Sequence, residues 1–438
     1  MVKVIIHRGT RTIGGSCVEI QSGTYRLIID LGLPLMARDG VELDATALQN
    51  PSVENGIMPD VAGLYSNDIP TVTAAILSHA HIDHYGLMNQ IHPAIPVYMG
   101  KESQKLIEVV NMFLSSGRSQ QKPIKHLQTF NHWEPFTIGP FTVTSYLMDH
   151  SAFGSSSFLI EVGGRRIFYS GDFRGHGRKG KLFDNLVKKG LPKIDCLVME
   201  GTTLGGNHSV GYHSEDEVEE GLCQVFTNQE DASFVMAASS NVDRTVSIYR
   251  AAIRAHKTLV LDLFQYHLLK QLQTFAPGLP PHDRDGLSIY YLKSHADAIV
   301  KNLGRQILIN YHPHQVKIEE IRQNRREMVF RIPLSGMRRI AKQLQQDTPL
   351  GKAHFIYSMW SGYLEPEPQF QQFCETYSMP KLDIHTSGHA YSPDLKRLAE
   401  ALKPKALLAI HTLSGDDFQH HFSNVVRISD GKPFEIPD

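Results

Sequence analysis

Short apolar runs that end in polar or small residues recur along the first two hundred residues of the chain. Their length and their content of Val, Ile, Leu and aromatic residues predict buried β-strands at residues 25–30, 72–78, 166–170 and 196–200. Residues 101–115 instead predict a helix. Strands and helices therefore alternate in this part of the chain, which is typical of an α/β fold.

The middle of the chain shows a second alternation. Apolar runs at residues 234–238, 258–263, 306–309 and 355–358 predict strands, and helical stretches separate them. Strands that alternate with helices in this way are typical of a parallel sheet, because each parallel connection needs a crossover.

Composition indicates an ordinary globular protein and excludes several classes. The chain has 438 residues, of which 41% are hydrophobic and 20% charged. No stretch approaches the roughly 20 apolar residues of a membrane span. The four cysteines are scattered without a C-x-x-C pair, which argues against a structural zinc knuckle or a disulfide framework and favours a reducing cytoplasm.

Charge is distributed unevenly, although the formal net charge is only −1. Residues 241–350 contain 17 Lys and Arg against 9 Asp and Glu, an excess of eight positive charges. The rest of the chain is correspondingly acidic. A basic segment beside an acidic one suits a polyanionic substrate, although a solvated helical face explains part of the excess equally well.

The most informative segment is His79-Ala80-His81-Ile82-Asp83-His84, which directly follows the apolar run at 74–78. Imidazole and carboxylate are the ligands of catalytic zinc and similar metals. His79 and His81 are two positions apart, so they point the same way in an extended segment. Asp83 and His84 follow where the chain is expected to turn into a helix, and they can face a second metal.

Three later side chains complete this set. His150, Asp172 and His411 each lie where a β run ends. Loops at strand ends, held by a rigid scaffold, can bring distant residues into one multi-ligand site. The sequence therefore predicts a metal centre built from four separate segments.

Four further motifs accompany the predicted metal ligands. They are E-G-T-T at 200–203, T-S-G-H-A at 386–390, K-P at 403–404 leading to His411, and S-N-V-D-R at 240–244. Together with H-x-H-x-D-H, they resemble the metallo-β-lactamase superfamily and its β-CASP nuclease branch, the RNase J-like and cleavage-and-polyadenylation endonuclease-like proteins. The resemblance implies a metallo-β-lactamase αββα sandwich in two parts, residues 1–208 and 381–438, with a β-CASP α/β domain inserted at 209–380.

The resemblance also implies a ligand set and a reaction. His79, His81 and His150 would bind one divalent ion, Asp83, His84 and His411 a second, and Asp172 would bridge them. Zinc is the expected metal and manganese the alternative. The two ions would activate a hydroxide that hydrolyses the phosphodiester bonds of RNA, with Asp83 among the catalytic residues.

Further roles follow from family positions. His389 is the expected general acid, and Glu215 its acidic partner; alternatively, Glu215 belongs to the acidic first turn of a helix capped by Ser214. Asp30 is expected to orient a ligand histidine. Glu200 either acts similarly or is a purely structural turn residue. The predicted phosphate-binding residues are Ser240, Asn241, Arg244, Ser387, Gly388 and, in a loop that is otherwise an exposed turn, Arg174.

Several interpretations of the function stay open at this level. The first is a ribonuclease acting on single-stranded RNA in the cytoplasm, without a membrane partner. A DNA nuclease of the same fold and a hydrolase of small phosphoesters such as cyclic nucleotides are the alternatives. A catalytically silent nucleic-acid-binding subunit is disfavoured, because all seven predicted ligands are present. The sequence does not predict whether cleavage is endonucleolytic or exonucleolytic. It does not predict the oligomeric state either.

Overall fold

The structure is a computed structural model that describes residues 1–35, 45–113, 123–206, 211–280, 286–360 and 368–437. It divides into two compact units. Unit 1 comprises Met1–Ile107, Ser116–His208 and Gly388–Asp438, and unit 2 comprises Glu108–Ser115 and Ser209–Ser387. Among the described residues, no helix is long and apolar enough to cross a membrane.

Unit 1 contains two mixed sheets. The first has the order β19-β1-β2-β3-β4-β5-β6, with β1 (Val2–Arg8), β2 (Cys17–Ser22), β3 (Tyr25–Ile29), β4 (Ala74–Ile76), β5 (Val97–Gly100), β6 (Leu127–Phe130) and β19 (Pro433–Glu435). The second has the order β18-β11-β10-β9-β8-β7, with β7 (Pro135–Ile138), β8 (Phe141–Leu147), β9 (Ser156–Val162), β10 (Arg165–Tyr169), β11 (Cys196–Glu200) and β18 (Ala406–Ile410).

Helices cover the outer face of the second sheet. The helices of unit 1 include α1 (Ala45–Gln49), α2 (Ile82–Tyr85), α3 (Lys101–Phe113), which continues into unit 2, α4 (Gly180–Lys189), α13 (Ser392–Leu402) and α14 (Phe418–His421), with 3₁₀ turns at Met88–Gln90 and Gly415–Asp417. Because side chains alternate across a strand, Ile167 and Tyr169 of β10 enter the core between the sheets. Phe168 instead packs with Phe183 of α4 and Leu395 of α13. The helices α4 and α13, the second sheet and the first sheet thus form successive layers of unit 1.

Unit 2 is built on one sheet in which all strands run parallel. Its order is β14-β13-β15-β12-β16-β17, with β12 (Ser233–Met236), β13 (Thr258–Asp262), β14 (Leu287–Tyr290), β15 (Met328–Arg331), β16 (His354–Tyr357) and β17 (Lys381–Asp383). The connecting helices include α5 (Glu215–Asn228), α6 (Val242–Arg254), α7 (Leu263–Leu272), α8 (Lys293–Leu303), α9 (Arg305–Tyr311), α10 (Ile318–Gln323), α11 (Leu334–Leu344) and α12 (Gln369–Tyr377), with 3₁₀ turns at His312–His314 and Arg325–Glu327. The predicted α/β class, a sandwich with an inserted α/β part, is confirmed.

Two predictions of local structure are wrong. Residues 306–309 form part of the helix α9 and not a strand, and Ile309 is 54% exposed, so the apolar run does not mark a buried strand. The inserted part does not end at residue 380, because β17 pairs in parallel with β16 of the unit 2 sheet. Three residues carry too little pattern to be recognised as a strand. The other predicted boundary, at 208/209, and the end of the predicted helix at 114–115 lie outside the described residues.

A buried carboxylate on β2 should make a large contribution to the stability of unit 1. Glu19 is 1% exposed, and Arg26 binds it through Nε (2.6 Å) and Nη2 (2.8 Å) while His7 Nε2 lies 2.9 Å away. Burial raises the pKa of Glu19, but the hydrogen bonds from Arg26 and His7 outweigh it and lower the pKa to about 2. A pKa below the ordinary 4.5 stabilises the fold fully above pH 4.5, and this stabilisation is lost as the pH falls towards 2.

Replacement of Glu19 by Gln is therefore expected to lower the free energy of unfolding by about 3 kcal/mol at pH 7. At pH 3 the difference from the wild type should shrink by about 2 kcal/mol, because the native carboxylate then loses most of its advantage. Urea denaturation at both pH values measures this. Glu161→Gln, which breaks a surface pair with Arg166, is the control and should cost under about 1 kcal/mol. Equal losses for Glu19→Gln at pH 3 and pH 7 would contradict the assignment.

Candidate metal centre

The segment that joins β4 to α2 places four of the predicted ligands. His81 is extended (φ −90°, ψ 145°) and is the N-cap of α2, so His79 and His81 precede the helix while Asp83 and His84 lie in its first turn. The change from extended to helical backbone turns the second pair away from the first. The local conformation therefore matches the division into two sets that the spacing predicts.

The remaining predicted ligands come from one edge of the second sheet. In that sheet β8, β10, β11 and β18 all run in the same direction, since β9 reverses the chain between β8 and β10 and the other neighbours are parallel. Their carboxyl ends therefore share an edge. His150 follows β8, Asp172 follows β10, and His411 directly follows β18 with a left-handed backbone (φ 52°).

Three histidine nitrogens converge in the first set. His81 Nδ1 lies 3.2 Å from His79 Nε2 and 3.1 Å from His150 Nε2. Three nitrogens that bind one zinc ion at 2.0–2.1 Å in tetrahedral geometry lie about 3.3 Å from one another. The observed spacing therefore fits a single metal ion.

The second set is formed by Asp83, His84 and His411, with Asp172 between the sets. His411 Nε2 lies 3.1 Å from Asp83 Oδ2, and His84 Nε2 lies 4.0 Å from the same oxygen. Asp172 Oδ2 lies 3.1 Å from His84 and 3.9 Å from His411. The carboxylate of Asp172 is also within 4.0 Å of His79 and His150. Asp172 thus has the position that a bridging ligand requires.

Hydrogen bonds to Asp30 orient two of the histidines. Asp30 Oδ2 accepts hydrogen bonds from His84 Nδ1 (2.9 Å), Ser78 Oγ (2.7 Å) and the Tyr169 hydroxyl (2.7 Å). Ser78 Oγ in turn accepts one from His79 Nδ1 at 3.0 Å. With Nδ1 held in this way, the Nε2 atoms of His79 and His84 point into the cluster. Asp30 thus contacts His84 directly, and its role in orienting a metal ligand stays a prediction, whereas the contacts of Ser78 and Tyr169 were not anticipated.

A second network orients His150 and His411. His150 Nδ1 donates to the carbonyl of Gly388 at 2.6 Å. His411 Nδ1 donates to Thr202 Oγ1 at 2.8 Å, and Thr202 donates to Glu200 Oε2 at 2.7 Å. Both imidazoles therefore turn Nε2 towards the cluster. Thr202 was also missed, although it belongs to the E-G-T-T motif.

Burial keeps the first set neutral. It lowers the pKa of His79 and His150 well below the ordinary value, and the positive charges of neighbouring histidines lower both further. Burial also lowers the pKa of His81 to about 4. Neutral imidazoles can present lone pairs, so three nitrogens about 3 Å apart form a set of donors that one divalent cation can bind.

The second set keeps its carboxylates charged. Burial raises the pKa of Asp172, but the charges of His411 and His84 outweigh it and hold this pKa well below the ordinary value. The pKa of Asp83 is lowered in the same way, against burial, by the hydrogen bond from His411. Burial lowers the pKa of His84, yet Asp172 and Asp30 raise it far above the ordinary range. A divalent metal ion bound between Asp172 and His84 can therefore replace the proton on His84.

Two buried polar atoms at the centre support the fit to a metal. Among the described residues, His84 Nε2 and Asp172 Oδ2 have no hydrogen-bond partner of acceptable geometry, although they lie 3.1 Å apart. Buried polar atoms are almost always satisfied, so these two atoms fit the role of metal ligands. The side chains therefore form a His and Asp cluster suited to divalent metal ions.

His389 lies beside the cluster with Glu200 as its neighbour. His389 Nδ1 is 3.1 Å from Glu200 Oε2 and 3.7 Å from Asp172 Oδ2. Glu200 is fully buried, and its Oε1 accepts a hydrogen bond from the backbone N–H of Phe173 at 2.9 Å. Burial lowers the pKa of His389, but the negative charge of Glu200 outweighs it and raises the pKa to about 9. The imidazole is thus held protonated in unit 1.

Glu215, the predicted partner of His389, lies in unit 2 at the start of α5. Ser214 caps this helix, as the structural alternative expected. Glu215 Oε1 accepts a hydrogen bond from Arg244 Nη2 (2.9 Å), and Glu215 Oε2 accepts one from Ser247 (2.7 Å). Its catalytic role stays a prediction. Within unit 1, Glu200 makes the contact that was predicted for Glu215.

The predicted phosphate-binding residues differ in accessibility. Arg244 is fully buried, and its N–H groups donate to Glu215, to Ser358 and to the carbonyl of Thr386, with His385 also in contact, which leaves no free donor for a phosphate. Arg174 is also fully buried, against Asp149, so the prediction of an exposed substrate-binding loop is wrong for this side chain.

The other predicted phosphate-binding residues lie in backbone turns. Asn241 is the N-cap of α6 and accepts a hydrogen bond from the backbone N–H of Arg244, while Ser240 precedes it. Gly388 uses its carbonyl to hold His150, and Ser387 is the last residue of unit 2. Their contact with phosphate stays a prediction.

Comparison with known proteins agrees with the resemblance that the motifs indicate. Residues 51–234 match a family model described as a beta-lactamase superfamily domain. The chain is 26% identical over 214 residues to an RNase J-like protein of Methanocaldococcus jannaschii, an alignment that covers 46% of this chain and 43% of the relative. It is 25% identical over 214 residues to ribonuclease J of Sinorhizobium meliloti, covering 47% and 36%. Endoribonuclease YSH1 of Gibberella zeae is 30% identical over 158 residues, covering 31% and 18%.

The chain thus spans less than half the length of these curated relatives. One solved structure, a protein of unknown function from Enterococcus faecalis, superimposes with a TM-score of 0.78 at 20% identity and covers 99% of both chains. That likeness concerns the fold alone. The resemblance inferred from the motifs is confirmed.

Proposed function

Because residues 51–234 match a beta-lactamase superfamily domain, we propose that the protein is a metal-dependent nuclease that hydrolyses phosphodiester bonds of RNA. The observation that carries the proposal is the convergence of His79, His81, His150, Asp83, His84, Asp172 and His411 into one cluster. The names of the relatives, ribonuclease J and endoribonuclease, support RNA as the substrate over DNA.

Two divalent ions, most simply zinc, fit the donor set. His79, His81 and His150 would hold one, Asp83, His84 and His411 the other, with Asp172 shared. When bound, such ions supply a nucleophile at neutral pH and neutralise charge on the phosphate. The chain's own contribution is to fix the coordinating atoms, because four of the five proposed histidine ligands are held by a hydrogen bond on the far side of the ring.

The open side of the cluster is where a phosphodiester would approach. The side chains of His389 and Asp83 are 21% and 13% exposed, and His81 is half-buried. The side chains of His79, His84 and His150 are at most 1% exposed. Substrate oxygens would therefore meet the cluster on the face that His81, Asp83 and His389 line.

His389 would act as the general acid. Glu200 accepts its Nδ1–H, and in the proposed reaction the imidazolium donates its Nε2–H to the leaving oxygen. Glu200 is itself fixed by the N–H of Phe173 and by Thr202, so the imidazole is positioned before the substrate binds.

The direct test is cleavage of a single-stranded RNA, labelled at either end in separate reactions, with its DNA counterpart in parallel. We expect cleavage of RNA that requires added zinc or manganese and disappears in His389→Ala. Mononucleotides from one end would indicate exonuclease action, and internal fragments endonuclease action. Folded, metal-loaded protein that leaves both polymers intact but hydrolyses a cyclic nucleotide would overturn the proposal in favour of a small-phosphoester hydrolase.

Thr202→Val is expected to weaken metal affinity about 10- to 100-fold, because His411 loses the acceptor that holds its Nδ1–H. Retention of metal during dialysis against a graded chelator series measures this. Thr137→Val, at an exposed position on β7, is the matched control and should bind metal like the wild type. Unchanged retention in Thr202→Val would show that the hydrogen bond does not orient a ligand.

A further inference from the structure

Unit 2 contains a buried cation that has no ion-pair partner among the described residues. Arg331, the last residue of β15, is 3% exposed. Its Nη2 donates to the carbonyl of Ala238 at 2.9 Å, and its Nε has no hydrogen-bond partner among the described residues. Burial lowers the pKa of Arg331 to about 10, the charge of Arg244 acts in the same direction, and Asp262 opposes it. The side chain therefore stays charged at neutral pH.

The carboxylate that influences Arg331 is engaged elsewhere. Asp262 caps α7 by accepting a hydrogen bond from Gln265 N at 3.0 Å, and its Oδ1 lies 3.2 Å from His295 Nδ1. No carboxylate among the described residues lies within ion-pair distance of Arg331. A buried guanidinium without a counter-ion costs several kcal/mol, so a protein that retains one has a use for the charge.

The position of Arg331 in the sheet is that of a ligand site. The chain leaves β13 through α7 towards β14 on one side, and leaves β15 through α11 towards β16 on the other side. β13 and β15 are neighbours, so the connections diverge between them, and Arg331 ends β15 at this point. In parallel α/β sheets, ligands bind outside the carboxyl ends of the strands at such a switch point.

The turn above Arg331 offers further donors. Asn241 N donates to the carbonyl of Ala238, which closes a turn between β12 and α6, and Arg331 bonds the same carbonyl. Ser239 is exposed and Ser240 half-buried, so solvent reaches this turn. The 13-residue helix α6 begins directly after it, and the first N–H groups of a helix have no intrahelical acceptor.

We propose that Arg331 and the turn 238–241 form a phosphate-binding site at the carboxyl ends of β12 and β15. The planar guanidinium provides paired donors, and the turn and the start of α6 provide hydroxyl and backbone N–H donors, which together match the oxygens of a phosphate group. The ligand is a phosphodiester of nucleic acid or a free phosphate or nucleotide. Binding does not require hydrolysis, so its test is separate from that of the proposed nuclease activity.

Calorimetric titration of the metal-loaded protein with inorganic phosphate tests the proposal. The metal cluster can bind phosphate as well, so the comparison is between variants. We expect Arg331→Met to lose one phosphate per chain or to bind it 10- to 100-fold more weakly. Arg338→Met, the same change on the exposed face of α11, should bind like the wild type. Equal binding by the two variants, or no binding by the wild type, would overturn the site.

Stability provides a readout that a structural arginine would not share. Without phosphate, Arg331→Met should be at least as stable as the wild type, because an unpaired buried charge is removed. Loss of stability together with unchanged phosphate binding would show that Arg331 serves the fold alone. Arg331→Lys keeps the charge and should retain weakened binding even if the Met variant folds poorly.

A second titration with a hydroxyl-ended oligodeoxynucleotide distinguishes the two sources of phosphate. Weaker binding of the oligonucleotide by Arg331→Met would identify a phosphodiester of the nucleic acid as the ligand. Loss of phosphate binding with unchanged oligonucleotide binding would identify a free phosphate or nucleotide. Either result supports the site, whereas no difference from Arg338→Met in both titrations would reject it.

Discussion

Replacement of Asp83 by Asn is expected to lower the rate of RNA cleavage about 1,000-fold or more. The carboxylate lies 3.1 Å from His411 Nε2 and 4.0 Å from His84 Nε2, so it is the anionic member of the second set of proposed ligands. An amide of the same shape removes its negative charge and most of its affinity for a divalent ion. Loss of several kcal/mol of charge stabilisation in the transition state corresponds to a rate loss of this size.

The measurement combines initial rates of cleavage with the metal content of the purified protein. Asp83→Asn should retain less than the full metal complement while its melting transition stays cooperative. Asp60→Asn, at an exposed position in the same unit, is the matched control and should cleave like the wild type. Normal cleavage by a folded Asp83→Asn protein would refute a hydrolytic role for the cluster.

Replacement of His389 by Gln is expected to lower the rate of RNA cleavage about 100- to 10,000-fold, the usual contribution of general acid catalysis. The imidazolium is held by Glu200 at 3.1 Å and faces the open side of the cluster. Because His389 is not among the proposed metal ligands, the variant should keep its full metal content. That result separates its effect from the effect of Asp83→Asn.

The leaving group provides the sharper test of this role. A p-nitrophenyl phosphodiester releases a stable anion and needs no proton, so His389→Gln should slow its hydrolysis far less than it slows RNA cleavage. His420→Gln, in the short helix α14 outside the cluster, is the matched control. Equal losses on both substrates would indicate that His389 positions the substrate and does not donate a proton.

The sequence alone was sufficient for the centre of the site. His79, His81, Asp83 and His84 lie close together in the chain, and the switch from an extended segment to a helix divides them as their spacing predicts. Local chain geometry, which depends on neighbouring residues, carries this information. The distant members, such as His150, could be assigned because each stands at the end of an apolar run and matches a known motif.

Contacts between residues distant in the chain needed the tertiary structure. The acid beside His389 in unit 1 is Glu200, 189 positions earlier in the chain, a contact that the sequence did not indicate. The role of Glu215, for which the sequence left a catalytic and a helix-capping interpretation open, stays a prediction. The hydrogen bonds from the hydroxyls of Ser78 and Tyr169 to Asp30 could not be predicted either, because Ser and Tyr occur at many positions without such a role.

Burial was the second property that the sequence did not predict. Arg174, Arg244 and Arg331 are the same type of residue, and the sequence does not show which of them are buried. Arg174 and Arg244 were predicted to bind substrate phosphate. The structure buries all three, satisfies every donor of Arg244, and leaves the Nε of Arg331 without a partner among the described residues. The sequence by itself thus determined the fold class and the kinds of atom that gather at the metal centre. Tertiary structure decided which charges are buried and paired, because desolvation and pairing depend on packing between segments that the chain order does not bring together.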